Sequence, residues 1–522
     1  MSTRKPRIAV VAGPTATILN TPPLVAGPLR PQRLGAATTV WVEHLSAHPM
    51  ESDLGARQAG PDGYLTEDGS VSPERTAETD VAVVAVRLDA GALYPLPYTP
   101  RPADGWEPGG WDDPRQTFFP DASRAYEEID ALVEMDGRDG TLSALADFVH
   151  VRVLPSAGRT SPPDCERLGH DYFPYWPPHR RGEPDRGALA RLTNELGALL
   201  AGGEVDAVQY LEGSASIEES LYWLALTLDT DRPVVGHCAQ VPHQALGSDG
   251  PRNIVDGVLY VASGAALDED GRDRVGPVLV ADGQVFAARE VAKTDGRYGG
   301  YRATGGLGGV VGAVHSYRGV HVDHLSTRRH TRTSELTVAR LPAQVRHVHG
   351  RLATGLRVGT TTVKDAAGRL REDAVPSVLV HKYGRYTGDA GTDSARERAA
   401  LWGWIEAYLD GATRPLGIVL EGNPSYGHAD PWEEAVLTTA LHAGVPVVRA
   451  GRGNGSGFVR IPPMPFAAAS NLTAAKARIL LTAALLKLGS LEPAADPRNP
   501  TEAERQRTAD QLAAYQELFD EH

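Results

Sequence analysis

A chain of 522 residues is longer than one compact core takes up, so two or more domains are expected. It is 41% apolar and 23% charged, the composition of a globular protein, and its net charge of −14 argues against a nucleic-acid partner, which lysine and arginine would have to neutralise. Two cysteines, Cys165 and Cys238, are too few for a disulfide framework or a metal cluster and fit a reducing compartment.

The opening MSTRKPRIAVVAGPT has a few basic residues followed by a short apolar run. Arg7 to Ala12 reads as a buried parallel strand, not as a signal peptide or membrane span. No long apolar run follows, so a cytoplasmic protein with no membrane partner is expected. The strand ends in a turn, Gly13-Pro14-Thr15-Ala16-Thr17. The region from Leu19 to His150 is rich in Pro, Gly and Asp, and its stretch Tyr94 to Pro120 suits neither a regular helix nor a central strand.

Regular alternation begins at a strand from Val149 to Leu154. A helix over Asp185 to Leu200 follows from the spacing of Leu189, Leu192, Leu196, Leu199 and Leu200. Val205 to Leu211 reads as a strand and Ser216 to Leu228 as a helix, opened by a capping box of Ser216 and Glu219. Val234 to Ala239 is a strand, and Val255 to Ser263 a helix or strand. A less regular stretch, Leu341 to Val375, reads as a linker or insertion. A second set then follows: strand Ser377–His381, helix Ala395–Leu409, strand Leu416–Leu420, helix Pro431–Ala443 and strand Val445–Arg449. Helices over Ala474–Leu488 and Glu502–Phe519 close the chain. Strands alternating with helices predict an α/β protein built on doubly wound parallel sheets. The division expected is 1–340, containing a large insertion at 19–150, then 341–375, then 376–522.

Ligands of doubly wound sheets bind outside the carboxyl ends of strands. Two turns of small, hydroxyl-bearing residues fall at such ends, Gly13–Thr17 and Gly213-Ser214-Ala215-Ser216. Small residues let a ligand approach the backbone, and a helix start favours negative charge. The same residues also suit a plain strand-to-helix turn without a ligand. His237, Cys238 and His243 lack metal-site spacing, so neither a metal nor a cofactor is expected.

Several segments, in one order, resemble the bacterial-type L-asparaginase/glutaminase family. EGSASIEESLYW is similar to the family's H-G-T-D-T-M-E-E-T segment, ALGSDGPRNIVDGVLYVAS (Ala245 to Ser263) to S-A-D-G-P-x-N-L, and AREVAKTD (Ala288 to Asp295) to R-D-V-T-K-T. GGLGGV (Gly305 to Val310), RRHT (Arg328 to Thr331), AGVPVVRAGRGNG (Ala443 to Gly455) and NLTAAKARILLTAAL (Asn471 to Leu485) match further landmarks. The resemblance implies an asparaginase-like pair of α/β domains, with a larger N-terminal and a smaller C-terminal domain. It also implies a small-molecule substrate and a homodimer or homotetramer with sites at subunit contacts.

Site residues follow from the same resemblance. Thr17 takes the place of the nucleophilic threonine of T-G-G-T-I, and Thr15 and Ala16 replace that motif's glycines. Ser214 and Lys293 take the threonine and lysine of the family's Thr-Lys-Asp constellation. Ala215 replaces its aspartate, which in the family binds the substrate's α-ammonium. Glu212 stands where the family has histidine. Ser156 falls in the segment that binds the substrate carboxylate, with Arg159 nearby. Gly213, Ala239 and His428 join the expected substrate-binding set, His428 near a family asparagine that reaches a neighbouring subunit. Asp249, Gly250 and Asn253 are expected to shape a bracing turn. The function implied is an amidohydrolase with a threonine nucleophile, acting on an amide other than plain asparagine. Related acyl chemistry, such as ester or lactam opening, acyl transfer or elimination, and a non-catalytic binding protein remain open beside it. Trp106, Trp111, Phe118 and Phe119 in the insertion suggest a cover that reshapes the pocket, or an outer decoration.

Overall fold

A computed structural model describes residues 4–16, 40–43, 57–59, 63–65, 71–72, 81–83, 115–117, 126, 129, 141–151, 184–241, 247–304, 309–315, 319–384, 394–424, 426–452 and 465–522. Thr17, Ser156, Arg159, Trp106, Trp111, Phe118 and Phe119 lie outside them. Within 19–150, short strands at Val40–Glu43, Arg57–Ala59 and Arg115–Thr117 form one small sheet. Gly63–Leu65, Val71–Ser72 and Val81–Val83 form another.

The main elements begin with β1 (Arg7–Ala12), β2 (Asp147–Val151), α1 (Gly187–Ala201), β3 (Ala207–Leu211), α2 (Ile217–Thr227), β4 (Val234–His237) and α3 (Gly250–Ser263). They continue with β5 (Val278–Ala281), β6 (Gln284–Ala287), β7 (Val291–Lys293), β8 (Tyr301–Ala303), β9 (Val310–His315) and β10 (Gly319–Val322). After β11 (Gln344–Arg351) and β12 (Gly355–Thr362) come β13 (Ser377–Lys382), α4 (Ser394–Leu409), β14 (Leu416–Gly422), α5 (Pro431–His442) and β15 (Val447–Gly451). β16 (Ala467–Ala468), α6 (Ala474–Leu488) and α7 (Glu502–Glu521) complete the set. Among the described residues, no helix is long and apolar enough to cross a membrane.

The chain forms two compact units, each assembled from several stretches. Unit 1 comprises residues 1–183, 208–213 and 237–262. Its strands lie in the order β3-β1-β2, with β1 and β2 parallel and Arg7 opposite Asp147. Ile8, Ala9, Val10 and Val11 are fully buried, as a continuous apolar run in a sheet covered on both faces should be. Tyr126 packs edge-on against Phe148 and donates to Gln209 Oε1 at 2.6 Å.

Unit 2 comprises residues 184–207, 214–236 and 263–522. One of its sheets runs β10-β9-β6-β5-β4. Only β4 and β5 are parallel there, and the rest is antiparallel. These strands form a meander, because β5, β6, β9 and β10 are joined without a crossover helix. The C-terminal sheet β13-β14-β15-β16 is parallel throughout. α2 buries Leu221, Tyr222, Trp223, Leu224 and Leu226 almost completely, at about 1.5–3 kcal/mol for each large side chain. Trp223 Nε1 donates to Thr193 Oγ1 of α1 at 2.7 Å, so the ring's one polar atom is satisfied.

Two local expectations are corrected. Ser216 is the N-cap of α2, but its side chain makes no cap bond and its backbone is already helical, with φ −113° and ψ −21°. Glu219 pairs with Arg478 of α6 instead of closing a capping box. The stretch 341–375 contains a hairpin of β11 and β12, paired from Gln344–Thr362 to Arg351–Gly355. Its inward side carries polar residues, His347 bonded to Thr361 at 2.9 Å, which disguises the apolar alternation of a strand.

Candidate active site

In unit 1, β1 and β3 deliver two turns to one carboxylate. Gly13 N–H donates to Leu211 O at 2.7 Å, and Ala16 N–H donates back to Gly13 O at 3.1 Å, closing the turn after β1. Glu212, 5% exposed, follows β3 directly. Its Oε1 accepts the Thr15 N–H at 2.8 Å, the Gly213 N–H at 3.0 Å and the Thr15 hydroxyl. Its Oε2 accepts the Tyr210 hydroxyl at 2.5 Å. Burial pushes the Glu212 carboxyl above the usual carboxylate range, and the hydrogen bonds from Thr15, Tyr210 and Gly213 pull the other way.

Glycine leaves room for the cluster on both flanks. A Cβ on Gly13 would lie 2.2 Å from Glu212 Oε2 and 2.3 Å from the Tyr210 hydroxyl. A Cβ on Gly213 would lie 2.6 Å from Thr15 Oγ1. Beside this cluster opens a small cleft lined by Ala16, Glu212, His237, Cys238, Ala239 and Ile254 among others. Nearby, Asp249 accepts the Val241 N–H at 2.9 Å and Asn253 donates to Cys238 O at 2.9 Å. His237 is a core residue, 3.1 Å from Gln209 Nε2.

In unit 2, the β7–β8 hairpin holds Ser214. Lys293 Nζ donates to Ser214 Oγ at 2.7 Å. Its cross-strand partner Tyr301 donates its hydroxyl to Ser214 O at 2.6 Å. The hairpin turn is tight: a Cβ on Gly300 would lie 2.3 Å from Asp295 O. The Lys293 N–H donates to Glu218 Oε2 at 2.6 Å, so the first turn of α2 fixes the strand that carries the lysine. Burial raises the Glu218 carboxyl, opposed first by the charge of Lys476. Lys476 is itself 1% exposed, lies 5.2 Å over the Tyr222 ring and donates to Ala288 O. Burial pushes its ammonium down to about 8, against the pull of Glu218, Glu290 and Glu219.

The expected residues thus fall into separate groups. Ser214 and Lys293 touch, Glu212 and Gly213 share a hydrogen bond, and Ala239 lines the cleft. Ala215 is exposed and brings no carboxylate. His428 lies in another cluster of unit 2, 3.2 Å from Glu434 Oε1 and 3.1 Å from Arg449 Nη1. Among the described residues, no group of three or more His, Cys, Asp or Glu could hold a metal. Sequence reasoning missed Thr15, Tyr210, Glu218, Tyr301 and Lys476. For Lys476 a signal existed: a lysine near the start of a helix whose residues are mostly apolar.

The family profile described as Asparaginase, N-terminal, matches residues 185–299, which span α1 through the β7–β8 turn. L-asparaginase 2 of Bacillus subtilis (strain 168) is 26% identical over 313 residues, covering 58% of this chain and 67% of that protein. The glutaminase-asparaginase of Acinetobacter glutaminasificans is 28% identical over 159 residues, covering 30% of this chain and 43% of that protein. Among solved structures, the probable cytoplasmic L-asparaginase of Campylobacter jejuni superposes with a TM-score of 0.49 at 21% identity, covering 76% of this chain and 94% of that one. Over these stretches the chain is similar to the asparaginase family, from which it has diverged, and its α/β fold is asparaginase-like.

Proposed function

We propose that this protein is an asparaginase-like amidohydrolase acting on a carboxamide other than that of plain asparagine. The observation that carries the reading is the 2.7 Å contact between Lys293 Nζ and Ser214 Oγ, the lysine–hydroxyl pair that the family resemblance assigns to proton handling. The same resemblance assigns attack on the amide carbon to the Thr17 hydroxyl. In that reaction a carbon–oxygen bond forms at the carbonyl, the carbon–nitrogen bond breaks, and the leaving nitrogen takes up a proton. Water then cleaves the acyl-threonine ester. Ala215 in place of an aspartate removes the partner of a substrate ammonium, which favours an amide without one. As in the resembled family, the working form is proposed to be a homodimer or homotetramer.

The test is ammonia release from L-asparagine, L-glutamine, N-acetyl-L-asparagine and succinamate, the analogue of asparagine that lacks its ammonium. We expect saturable turnover of succinamate or N-acetyl-L-asparagine that disappears in Thr17→Ala. L-asparagine and L-glutamine should stay below a kcat/KM of about 10⁴ M⁻¹s⁻¹. Efficient hydrolysis of L-asparagine would contradict the substrate reading. Saturable binding without turnover of any of the four would contradict the enzyme reading.

A further inference from the structure

Two residues of unit 1 depart from the resembled pattern. Thr15 stands in place of a glycine and Glu212 in place of a histidine, 197 positions apart in the chain. The structure makes these departures answer each other, since the hydroxyl of one is bonded to the carboxylate of the other. We propose that Thr15 and Glu212 form a single device, in which Glu212 is a positioning residue that clamps the Gly13–Ala16 turn to the end of β3. This rests on the reading of the chain as an amidohydrolase whose nucleophile, Thr17, follows that turn.

The donor set demands an oxygen that accepts. Three donors converge on Oε1, and two of them are backbone N–H groups that only donate. A histidine has at most one acceptor nitrogen, so it could not take up all three donors. The opposite oxygen is anchored by Tyr210, so the carboxylate cannot swing away without breaking that bond as well. The Gly13 and Gly213 backbones press close on the pair, and neither has space for a side chain. The clamp also reaches the ligand side, because Glu212 and Ala16 line the same cleft. Among the described residues, Tyr210 is bonded to Glu212, and His237 and Cys238 share the lining with it.

The experiment uses the full chain and two independent readouts. Hydrogen exchange by mass spectrometry follows peptides over residues 7–16 and 205–216, and kcat and KM are measured on succinamate. In Glu212→Gln, exchange should rise in both peptides. Its kcat should fall roughly 10- to 100-fold, the range of a lost charge-assisted hydrogen bond, while KM moves less than about 3-fold. Thr15→Ala deletes only the hydroxyl and should loosen the first peptide, which keeps the test open if Glu212→Gln fails to fold. Glu212→His alone should be impaired, and Thr15→Gly combined with Glu212→His, restoring both family residues, should recover activity.

Unchanged exchange in Glu212→Gln and Thr15→Ala overturns the clamp. So does retained kcat with a loosened turn, or equal activity of Glu212→His with and without Thr15→Gly. If the wild-type protein hydrolyses none of the four amides, the amidohydrolase reading falls separately, and the exchange data alone then decide the clamp.

Discussion

Replacing Lys293 by Met isolates the contact on which the functional reading depends. The substitution keeps the length and much of the volume of the side chain and deletes Nζ, whose 2.7 Å bond to Ser214 Oγ is lost. The scaffold should survive: the Lys293 N–H still reaches Glu218 at 2.6 Å, and the pairing of Val291, Ala292 and Lys293 with β8 involves backbone alone. A hydrogen bond to a charged group contributes about 1.5–3 kcal/mol, or roughly 10- to 150-fold in rate if it acts on the transition state. Proton transfer by a positioned side chain adds typically about 10²–10⁴-fold. We therefore expect kcat on succinamate to drop at least about 100-fold in Lys293→Met. The half-buried position should cost no more than about 1 kcal/mol of stability. Ser214→Ala should cost a similar factor, and the double variant little more than either, because the two side chains act as one unit. Steady-state kinetics on the three variants, with thermal melts to confirm folding, measure this. Additive losses, or a Lys293→Met enzyme within about 3-fold of wild type, would refute the reasoning.

Asp273 supplies a pH signature: burial raises its carboxyl to about 7, against hydrogen bonds from Val275 and Gly276 and the charge of Arg332. A raised folded pKa means the favourable contribution is complete below the ordinary value near 3.8 and is lost as pH rises through about 7. At about 1.36 kcal/mol per pH unit, up to roughly 4 kcal/mol is at stake, and Asp273→Asn should flatten the slope of chemical-denaturation stability between those limits; parallel curves would exclude it. Gly13→Ala should destabilise by about 1–3 kcal/mol through overpacking against Glu212 and Tyr210, and Glu212→Ala in the same chain should relieve part of that loss. An unchanged melting temperature in Gly13→Ala would argue against the close packing. Light scattering at micromolar concentration should give a dimeric or tetrameric mass, and a monomer would contradict the proposed assembly.

Much of the fold was legible in the sequence because apolar period and turn chemistry are local. β1 and α6 fall where their apolar runs and flanking turn residues put them, at Arg7–Ala12 and Ala474–Leu488. The lysine–serine pair was legible too, but only through resemblance, since nothing local in AREVAKTD says that Lys293 meets a serine 79 positions away. Tertiary structure alone decided the rest. Ser216 and Glu219 spell a capping box, yet Glu219 is drawn to Arg478, because a charged partner on a packed helix outcompetes a local amide. Tyr301 reaches Ser214 only because β8 pairs with β7, and register between strands is a property of the folded sheet. Thr15 and Glu212 look unrelated along the chain. Their meeting follows from strand order β3-β1, which brings two turns to the same sheet end and buries a carboxylate where backbone donors can satisfy it.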